Sequence, residues 1–484
     1  MKKIIYATLS ISILLLIASC GSKNNKQVLK YTTDKTIVIS KINLEQLDEK
    51  FPKEEMLKDS SNNFSSIDKE KFKLFFNADE NGIDIEEPLY ILVDQDKENF
   101  ATSFIIKIDD TKKFETNFSK ITDTQIKIDK AKNLIFSNSE LIGSINDDVL
   151  VLSRLMSNPY GSSYGSSGDV AASEEFYTNF WKRKTTENEK IIDQVNATLK
   201  DDADMSAWIN VYAGISTLSR GYIETLAVNK LLIDAGIGID LNFEKGNVAF
   251  NTQTFFNNDL QKLVEKHYDG KNVNYDLIKN IDIDNSKMFA VGFMSFDFIK
   301  HFVKEAGFEA SLNKYLEYKD ITFEEITNAL TGDYAFVNFK DEEVKTDDPY
   351  YYAKPNSLFA LGIKGDNAKK VIDILSNDGM MNSLGGSFSN KEILVFATNQ
   401  KDLNLLKTNK AAANKKLDKI SGVNAYSWTD GEDISKSMNN EKNKAKIEEM
   451  VTVSNIKDGN LSSETNIKID KKDKNALHYL MGYE

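Results

Sequence analysis

Internal repetition constrains this chain most, because matching strand-to-helix junctions recur in the same order in its two halves. The β-branched run 35–42 is followed by Asn43 and a helical pattern, and the apolar run 287–294 is followed by Ser295 and a similar pattern. Asn and Ser are good helix N-caps, because their side-chain oxygens accept hydrogen bonds from free backbone amides. Repetition on this scale predicts two structural units built to one plan.

Further matches follow in the same order. Lysine pairs at 112–113 and 369–370 each begin a helical pattern after a strand, and Gly246 and Gly459 each lie in a Gly-Asn turn between alternating strands. Hairpin turns and short alternating strands favour antiparallel sheets over a doubly wound parallel sheet. We therefore predict an α+β fold with two homologous halves, in which mostly antiparallel sheets carry packed helices.

The predicted organisation has four parts. They are a signal peptide at 1–19, a lipidated tether at 20–30, a first half at 31–272 and a second half at 280–484.

The first half carries additional material. Residues 157–172 are rich in Gly, Ser and Tyr, which predicts a loop. Residues 173–200 and 216–235 have helical patterns. The first contains a capping box that begins at Thr186, and the second stops at Gly236.

The N-terminus has the pattern of a secretory signal. Lysines at positions 2 and 3 precede an apolar run at 4–17, and small residues surround Cys20. The pattern resembles the bacterial lipobox, in which the thiol receives diacylglycerol and cleavage leaves Cys20 as the first residue. An ordinary signal peptide with a chance cysteine is the alternative. It is disfavoured because Cys20 is the only cysteine in the chain.

Lipidation at Cys20 has consequences for the location of the protein. The only thiol is used, so we expect no intramolecular disulfide, and no later apolar stretch reaches the length of a spanning helix. Residues 21–29 carry no acidic side chain, whereas an acidic cluster there resembles a surface-export signal. We predict an outer-membrane lipid anchor facing the periplasm, with the cell surface as the alternative.

Composition limits the classes of partner. The chain has 61 basic and 74 acidic residues, a formal net charge of −13, which argues against nucleic acid. Only three of the basic residues are arginines: Arg154, Arg183 and Arg220. Arginine binds phosphate in a bidentate manner, so a chain with three arginines has few side chains suited to phosphate recognition.

Two short motifs partly match known functional sites. Residues 161–165 match the G-x-S-x-G pattern of serine hydrolases, but Pro159 and many small residues favour a loop over the tight strand–Ser–helix turn that the nucleophile Ser163 would need. Residues 77–82 begin like a calcium loop, but Pro88 stands where the terminal bidentate Glu belongs. We interpret this segment as a turn that leads into a strand at Leu89.

Histidine and tryptophan offer little support for a site. His267, His301 and His478 are far apart in the sequence, so a zinc site or other cofactor is not expected, and His301 is predicted to form a surface pair with Glu305.

The three tryptophans could form a glycan-binding platform or lie in the core. Trp208 matches the aromatic Tyr426 in the repeat, which favours a core position. Trp181 and Trp428 are the other two.

The lipobox, the strand at 36–42 with its capped helix, and the segment 81–93 (NGIDIEEPLYILV) together resemble domain-of-unknown-function family 4836, large lipoproteins of the Bacteroidetes. The resemblance spans nearly the whole mature chain, but its motifs are short and structural. The chain departs from the pattern at Thr33-Asp34, where a proline is expected. The family implies no catalytic residue.

Two functions follow from these observations. The first is a membrane-anchored, non-catalytic envelope lipoprotein that binds a ligand or partner, such as an envelope protein or a glycan, through its two lobes. The second is a periplasmic hydrolase with a carboxylate-based site that no motif reveals. The first is favoured, because catalytic sites normally leave nucleophile, base or metal signatures.

Overall fold

The computed structural model describes residues 25–50, 81–96, 99–122, 124–157, 169–274, 277, 279, 281, 283–340, 356–365, 368–377, 386–399, 403, 420–437 and 446–480. Within these ranges the strands join into one antiparallel sheet that carries helices on both faces. This arrangement confirms the predicted α+β class. The predicted signal peptide, Cys20 and most of the Gly/Ser loop lie outside the described residues.

The first half has eleven described strands, and several of them alternate buried and partly exposed residues, as expected in an antiparallel sheet. They are β1 (Thr36–Ile42), β2 (Leu89–Asp96), β3 (Asn99–Lys107), β4 (Ile126–Asp129), β5 (Leu134–Ser137), β6 (Glu140–Asn146), β7 (Val149–Ser157), β8 (Asp169–Ala171), β9 (Met205–Asn210), β10 (Gly236–Glu244) and β11 (Asn247–Phe255). The first strand predicted after the calcium-like turn does begin at Leu89.

The second half contributes eight described strands. They are β12 (Ser286–Phe293), β13 (Leu330–Phe339), β14 (Ser357–Ile363), β15 (Gly386–Ser389), β16 (Ile393–Ala397), β17 (Ala425–Asp430), β18 (Ile447–Lys457) and β19 (Asn460–Ile469).

The described α-helices connect these strands or follow the hairpins. They are α1 (Lys26–Leu29), α2 (Leu44–Lys50), α3 (Thr111–Thr122), α4 (Glu174–Trp181), α5 (Glu189–Thr198), α6 (Val211–Leu218), α7 (Asn229–Leu232), α8 (Asn258–Tyr268), α9 (Phe296–Glu305), α10 (Glu309–Leu316), α11 (Phe323–Ala329), α12 (Ala368–Asn377), α13 (Gly431–Ser437) and α14 (Ala476–Leu480). In the part of the chain that the structure describes, we find no helix both long and apolar enough to span a bilayer.

The two halves share one strand order. The first half pairs its strands in the order β6–β7–β3–β2–β1–β9–β10–β11, and the second in the order β15–β16–β14–β13–β12–β17–β18–β19. The β11–β19 pair joins them. Even an irregularity recurs, because the register shifts between Thr36 and Val38 in β1 and between Ser286 and Met288 in β12. Homology of the halves stays a prediction, which this shared order supports.

The predicted junctions occupy corresponding places. Asn43 and Ser295 each precede the helix that follows the first strand, and Ser295 Oγ accepts from Phe298 N at 3.1 Å. Asn43 does not act as a cap in this way, because its Oδ1 has no hydrogen-bond partner among the described residues; its side-chain amide nitrogen donates to Asp201 O. Lys112 and Lys369 are each the second residue of a helix that follows the third strand.

The hairpin glycines also correspond. Gly246 and Gly459 both have positive φ, +67° and +71°, between β10 and β11 and between β18 and β19. A left-handed conformation favours glycine, which is why the two turns share this residue.

Pairing corrects one predicted match. Trp208 lies opposite Ile39 in β1, and Trp428 lies opposite Phe289 in β12, so the counterpart of Trp208 is Trp428 and not Tyr426. Both tryptophans are buried, with relative exposures of 1% and 7%, which confirms the core interpretation.

A pair of polar side chains supports the correspondence further. Asp204 and Asn424 each directly precede a strand, β9 and β17. Asp204 Oδ2 accepts from Phe243 N at 2.5 Å, and Asn424 Oδ1 accepts from Ile456 N at 2.6 Å. Phe243 and Ile456 occupy equivalent positions. The first residues of β9 and β17 pair with residues 241 and 454, and each donor lies two residues further along that partner strand. The same local polar bond therefore closes the same corner of the sheet in both halves.

The segment after each hairpin crosses to the other half. Helix α8 follows β11 and packs on the second half, where the Tyr268 ring lies 5.6 Å from that of Phe298. Helix α14 follows β19 and buries Leu477 in the core of the first half, where Asn475 Nδ2 also donates to Lys50 O at 2.8 Å. The halves are therefore interlocked by reciprocal exchange of their C-terminal helices.

Two predicted helices of the first half are wrong in extent. The predicted helix at 173–200 is two helices, α4 and α5, because Asn188 caps α5 by accepting from Lys190 N and Ile191 N. Thr186, the predicted cap, instead donates to Asp34 Oδ1 at 2.5 Å. The predicted capping box is therefore absent, and residues 182–188 separate the helices.

The predicted helix at 216–235 is also interrupted. Helix α6 ends at Leu218, and Arg220 and Gly221 both have positive φ, 54° and 76°, a conformation that cannot continue a right-handed helix. A 3-10 helix (Tyr222–Thr225) and the short α7 follow. Gly236 begins β10 and is not a helix stop, and the end of the predicted loop, 169–171, forms β8.

Candidate functional site

Most of the sites predicted from the sequence lie outside the part of the chain that the structure describes. Cys20 and Ser163 lie outside the described residues, as do residues 77–80 of the calcium-like segment. Its described end forms a local turn, in which Asn81 Oδ1 accepts from Ile83 N at 2.7 Å and Gly82 has φ +74°.

One carboxylate near a hairpin end is buried. Asp94 lies close to the turn between β2 and β3, yet its side chain is inside the fold. Its Oδ1 accepts from Thr36 Oγ1 at 2.6 Å, and its Oδ2 accepts from Arg183 Nη1 at 2.7 Å. Arg183 Nη1 also donates to Tyr31 O at 2.9 Å. One of the few arginines of the chain therefore fastens the N-terminal segment to the sheet.

Two histidines that are distant in the sequence meet in the structure. The rings of His267 in α8 and His301 in α9 lie 4.8 Å apart, centroid to centroid. Glu305, the predicted partner of His301, forms an ion pair with Lys230, and His301 makes only a smaller contribution to the lowered pKa of Glu305. Burial, and secondarily the neighbouring His301, lowers the pKa of His267. The described residues contain no group of three or more His, Cys, Asp or Glu side chains arranged to hold a metal ion.

A polar cavity of about 270 Å³ lies where the two halves meet. We call it the dyad groove. Its walls come from the end of α5, from the hairpin β10–β11 and from the hairpin β18–β19. The lining residues are Ala197, Thr198, Lys200, Gly238, Asp240, Asn251, Thr252, Gln253, Val453, Asn455, Ser462, Ser463 and Glu464. Both halves of the repeat therefore contribute to one cavity.

A row of polar residues runs across the sheet to this cavity. Lys41 in β1 lies opposite Ser206 in β9, and Ser206 lies opposite Asp240 in β10. Asp240 lies opposite Asn251 in β11, which lies opposite Glu464 in β19. Residues paired in this way share one face of the sheet. The five side chains thus line up from the first strand to the junction of the halves.

Lys41 anchors the outer end of the row. Its side chain is 1% exposed, and Nζ donates to Leu199 O at 3.4 Å, to Lys200 O at 3.2 Å and to Asp201 Oδ1 at 3.0 Å. These carbonyls follow the last turn of α5, where a helix leaves acceptors without intrahelical partners. Lys41 therefore fixes the C-terminal end of α5 above the sheet, and this end carries Thr198 and Lys200.

Asp240 is the central charged group of the dyad groove. It is only 6% exposed, and its Oδ2 accepts from Lys200 Nζ at 2.5 Å. Burial raises the pKa of Asp240, although the Lys200 ammonium opposes that effect. Asp240 Oδ1, Thr198 Oγ1 and Ser206 Oγ are all buried and have no hydrogen-bond partner among the described residues.

Glycines let α5 approach the sheet closely enough to form this wall. A Cβ at Gly238 would overlap Thr198 Oγ1, and one at Gly236 would overlap Gln194 Oε1. Gln194 in turn accepts from Trp208 Nε1 at 3.0 Å and donates to Asp234 O at 2.8 Å. The alternation of glycine along β10 therefore sets the depth of the dyad groove.

Sequence reasoning missed this site, although two signals were present. Lys41 is a charged residue inside the β-branched run of β1, and Asp240 is a charged residue inside the alternating run of β10. A charge on the buried face of a strand is unusual, because it must be paired or bonded there.

Comparison with protein-family models, with curated proteins and with solved structures finds no match to this chain.

Proposed function

We propose that this chain is an outer-membrane lipoprotein that is anchored through Cys20, faces the periplasm and binds a ligand in the dyad groove without catalysing a reaction. The anchor rests on the signal and lipobox pattern of the first twenty residues. Several acyl chains give stable membrane attachment where one chain would be marginal. Membership of family 4836 belongs to the same proposal and rests on the short motifs named above.

The observation that carries the binding function is the dyad groove itself. It is a polar cavity at the junction of two similar units, and charged and polar side chains from both units line it. Ligand sites commonly lie at such junctions, with a few polar groups that fix the orientation of the ligand. Its lining contains buried polar atoms that lack partners among the described residues, and a ligand would supply those partners.

A periplasmic hydrolase is the second candidate, and one observation favours it. Asp240 is a buried carboxyl with a raised pKa in a cleft, as many general acids are. Glu464 lies two strands away, about 10 Å between backbones. However, Lys200 Nζ donates to one oxygen of Asp240, and this ammonium favours the charged carboxylate. A carboxyl group held in its charged form is a poor general acid, so binding is the function that we favour.

Blocking the cavity tests the binding function. Ser462 and Gln253 lie opposite each other on the groove face of the sheet, and both are exposed. Ser462→Trp should fill the cavity and abolish ligand-dependent thermal stabilisation of the purified lipoprotein by periplasmic small-molecule extract. The matched control is Ser387→Trp, which changes an exposed serine in β15 at the outer edge of the second half and should respond as the wild type does. Equal stabilisation of the wild type and Ser462→Trp would refute binding in the groove.

The anchor needs its own test. Mass spectrometry of the mature N-terminus should show a diacylglyceryl-modified Cys20, and Cys20→Ser should release the protein from the membrane fraction. An uncleaved or unmodified N-terminus would refute lipidation without bearing on the groove.

A further inference from the structure

The repeat shows which polar residues the fold does not require. In the second half, the positions that correspond to Lys41, Ser206 and Asp240 form a matching row. That row consists of Val291, Tyr426 and Val453. The same strands with the same pairing therefore accept hydrophobic side chains at these places. Lys41 has a structural role at the end of α5. Burying the side chains of Ser206 and Asp240 is costly, so their presence in one half alone indicates a role other than folding.

The unpartnered atoms show what the groove lacks. Asp240 Oδ1 and Thr198 Oγ1 belong to lining residues that are 94% and 97% buried. Native proteins satisfy nearly all such atoms, with protein groups, water or ligand. The carboxylate oxygen can only accept a hydrogen bond, whereas the hydroxyl can donate or accept. A fitting ligand must therefore bring at least one hydrogen-bond donor to the Asp240 end of the groove.

Charge and side-chain type narrow the ligand further. Lys200 already neutralises Asp240, so that end of the groove does not call for a strong cation. The amides of Asn251, Gln253 and Asn455 can each donate and accept, as sugar hydroxyls do. No aromatic side chain is among the described lining residues, so the groove offers no surface on which a nucleobase or another aromatic ligand could stack.

We propose that the dyad groove binds the hydroxyl-bearing end of a saccharide, with one hydroxyl donating to Asp240 and its neighbour exchanging hydrogen bonds with Thr198 and Lys200. This inference rests on the proposed binding function and names its ligand class. The cavity, at about 270 Å³, lies just below the ~300–1,000 Å³ of usual ligand pockets. It therefore admits one sugar ring, while the remainder of a longer glycan stays over the exposed ends of β11 and β19.

Saturation-transfer NMR on the mature lipoprotein tests the proposal, in a detergent without a sugar headgroup. The probes are D-glucose, D-galactose, N-acetylglucosamine and glycerol, with propane-1,3-diamine and inorganic phosphate as probes of opposite charge. At least one saccharide should bind. Asp240→Asn and Thr198→Val should each weaken its affinity about tenfold, the loss expected for one hydrogen bond to a charged or buried group. The control Asp193→Asn removes an exposed carboxylate of α5 that does not line the groove and should bind normally.

The outcomes separate this inference from the proposed function. Binding of the diamine or phosphate that Ser462→Trp abolishes, without saccharide binding, would overturn the saccharide inference and leave a binding groove in place. Saccharide binding that Asp240→Asn leaves unchanged would place the sugar elsewhere and overturn it too. Absence of any probe signal sensitive to Ser462→Trp would count against the inference and the proposed function together.

Discussion

Asn251 and Glu464 lie directly opposite each other in the β11–β19 pair, and each occupies the position of the other in the repeat. Asn251 faces Asp240 on its other side, whereas Glu464 faces Val453. An approximate two-fold axis therefore passes between these two residues. A ligand on this axis contacts equivalent strands that carry different side chains, with the buried, ion-paired Asp240 on one side and the exposed Glu464 on the other.

Asp240 should reduce the stability of the fold at neutral pH, and Asp240→Asn should increase the free energy of unfolding. Burial raises the pKa of this carboxyl, so the folded state disfavours the charge that the unfolded chain hydrates freely. The difference should shrink as the pH falls from the folded pKa towards about 3.9, the ordinary value for Asp, because the folded state then binds the proton first.

Urea unfolding at pH 7 and at pH 4.5 measures this effect. The variant should be the more stable protein at pH 7 and lose its advantage at pH 4.5. An Asp240→Asn protein that is less stable than the wild type at pH 7 would show that the Lys200 pair outweighs burial. If Asp240→Asn is more stable than the wild type and also binds saccharide more weakly, the weaker binding cannot result from unfolding.

The fold could be predicted because its signals are local. Helix caps, hairpin glycines and strand alternation follow from backbone geometry, so Ser295, Gly246 and Gly459 could be placed from the sequence. Breaks in helices were harder to predict, because they depend on single residues such as Arg220. No local sequence pattern predicts its left-handed conformation. The helix is capped by Asn188 and not by Thr186, because the Thr186 hydroxyl donates to Asp34, a residue distant in the sequence.

The candidate site could not be predicted, because strand pairing creates it. Lys41, Ser206 and Asp240 are separated by more than thirty residues at each step, and only the register places them in one row. Likewise His267 and His301 meet only because α8 crosses to the second half. Local periodicity carries no information about which strands become neighbours.

Lys41→Met should destabilise the protein by about 2–4 kcal/mol, because it leaves the Leu199 and Lys200 carbonyls and Asp201 without their buried donor. Chemical unfolding measures the loss. The control is Lys127→Met on the exposed face of β4, which makes the same exchange at the surface and should change stability by no more than about 0.5 kcal/mol. Similar effects of the two substitutions would contradict the role given to the ammonium group.

Gly238→Ala should destabilise the fold by about 1–3 kcal/mol, because the added methyl group meets Thr198 and lies 3.2 Å from Phe255 Cε2. The comparison is Gly214→Ala in α6, where the nearest atom, Ile37 Cγ2, would be 3.5 Å away. That change should be neutral or stabilising by up to about 1 kcal/mol, since alanine favours helices. Thermal unfolding of both variants decides whether close approach of α5 is needed; equal melting temperatures would show that it is not.

His267 should make stability depend on pH near neutrality. Burial, and then His301, lowers the pKa of His267 in the folded state, while Lys266 acts in the same direction and Asp297 opposes it. Below about pH 6.5 the unfolded chain takes up a proton that folded His267 resists, so stability falls as the pH drops through that window. His267→Gln should flatten the loss between pH 7.5 and pH 5. An unchanged pH profile would show that His267 does not cause the loss of stability at low pH.

The isolated first half, residues 25–272, should not remain a folded monomer. In the full chain β11 pairs with β19 along eight residue pairs, and α14 supplies Leu477 to the first-half core. Without the second half, β11 becomes an open edge strand, which readily pairs with another chain. Because Asn251 and Glu464 are equivalent about the axis, a second copy of β11 can take the place of β19, and each copy can offer its α8 to the other. Sedimentation should therefore show a dimer or aggregate, and co-expression of residues 273–484 should convert it into a one-to-one complex. A stable, cooperatively unfolding monomer would show that the exchanged helices are dispensable and that the halves are independent domains.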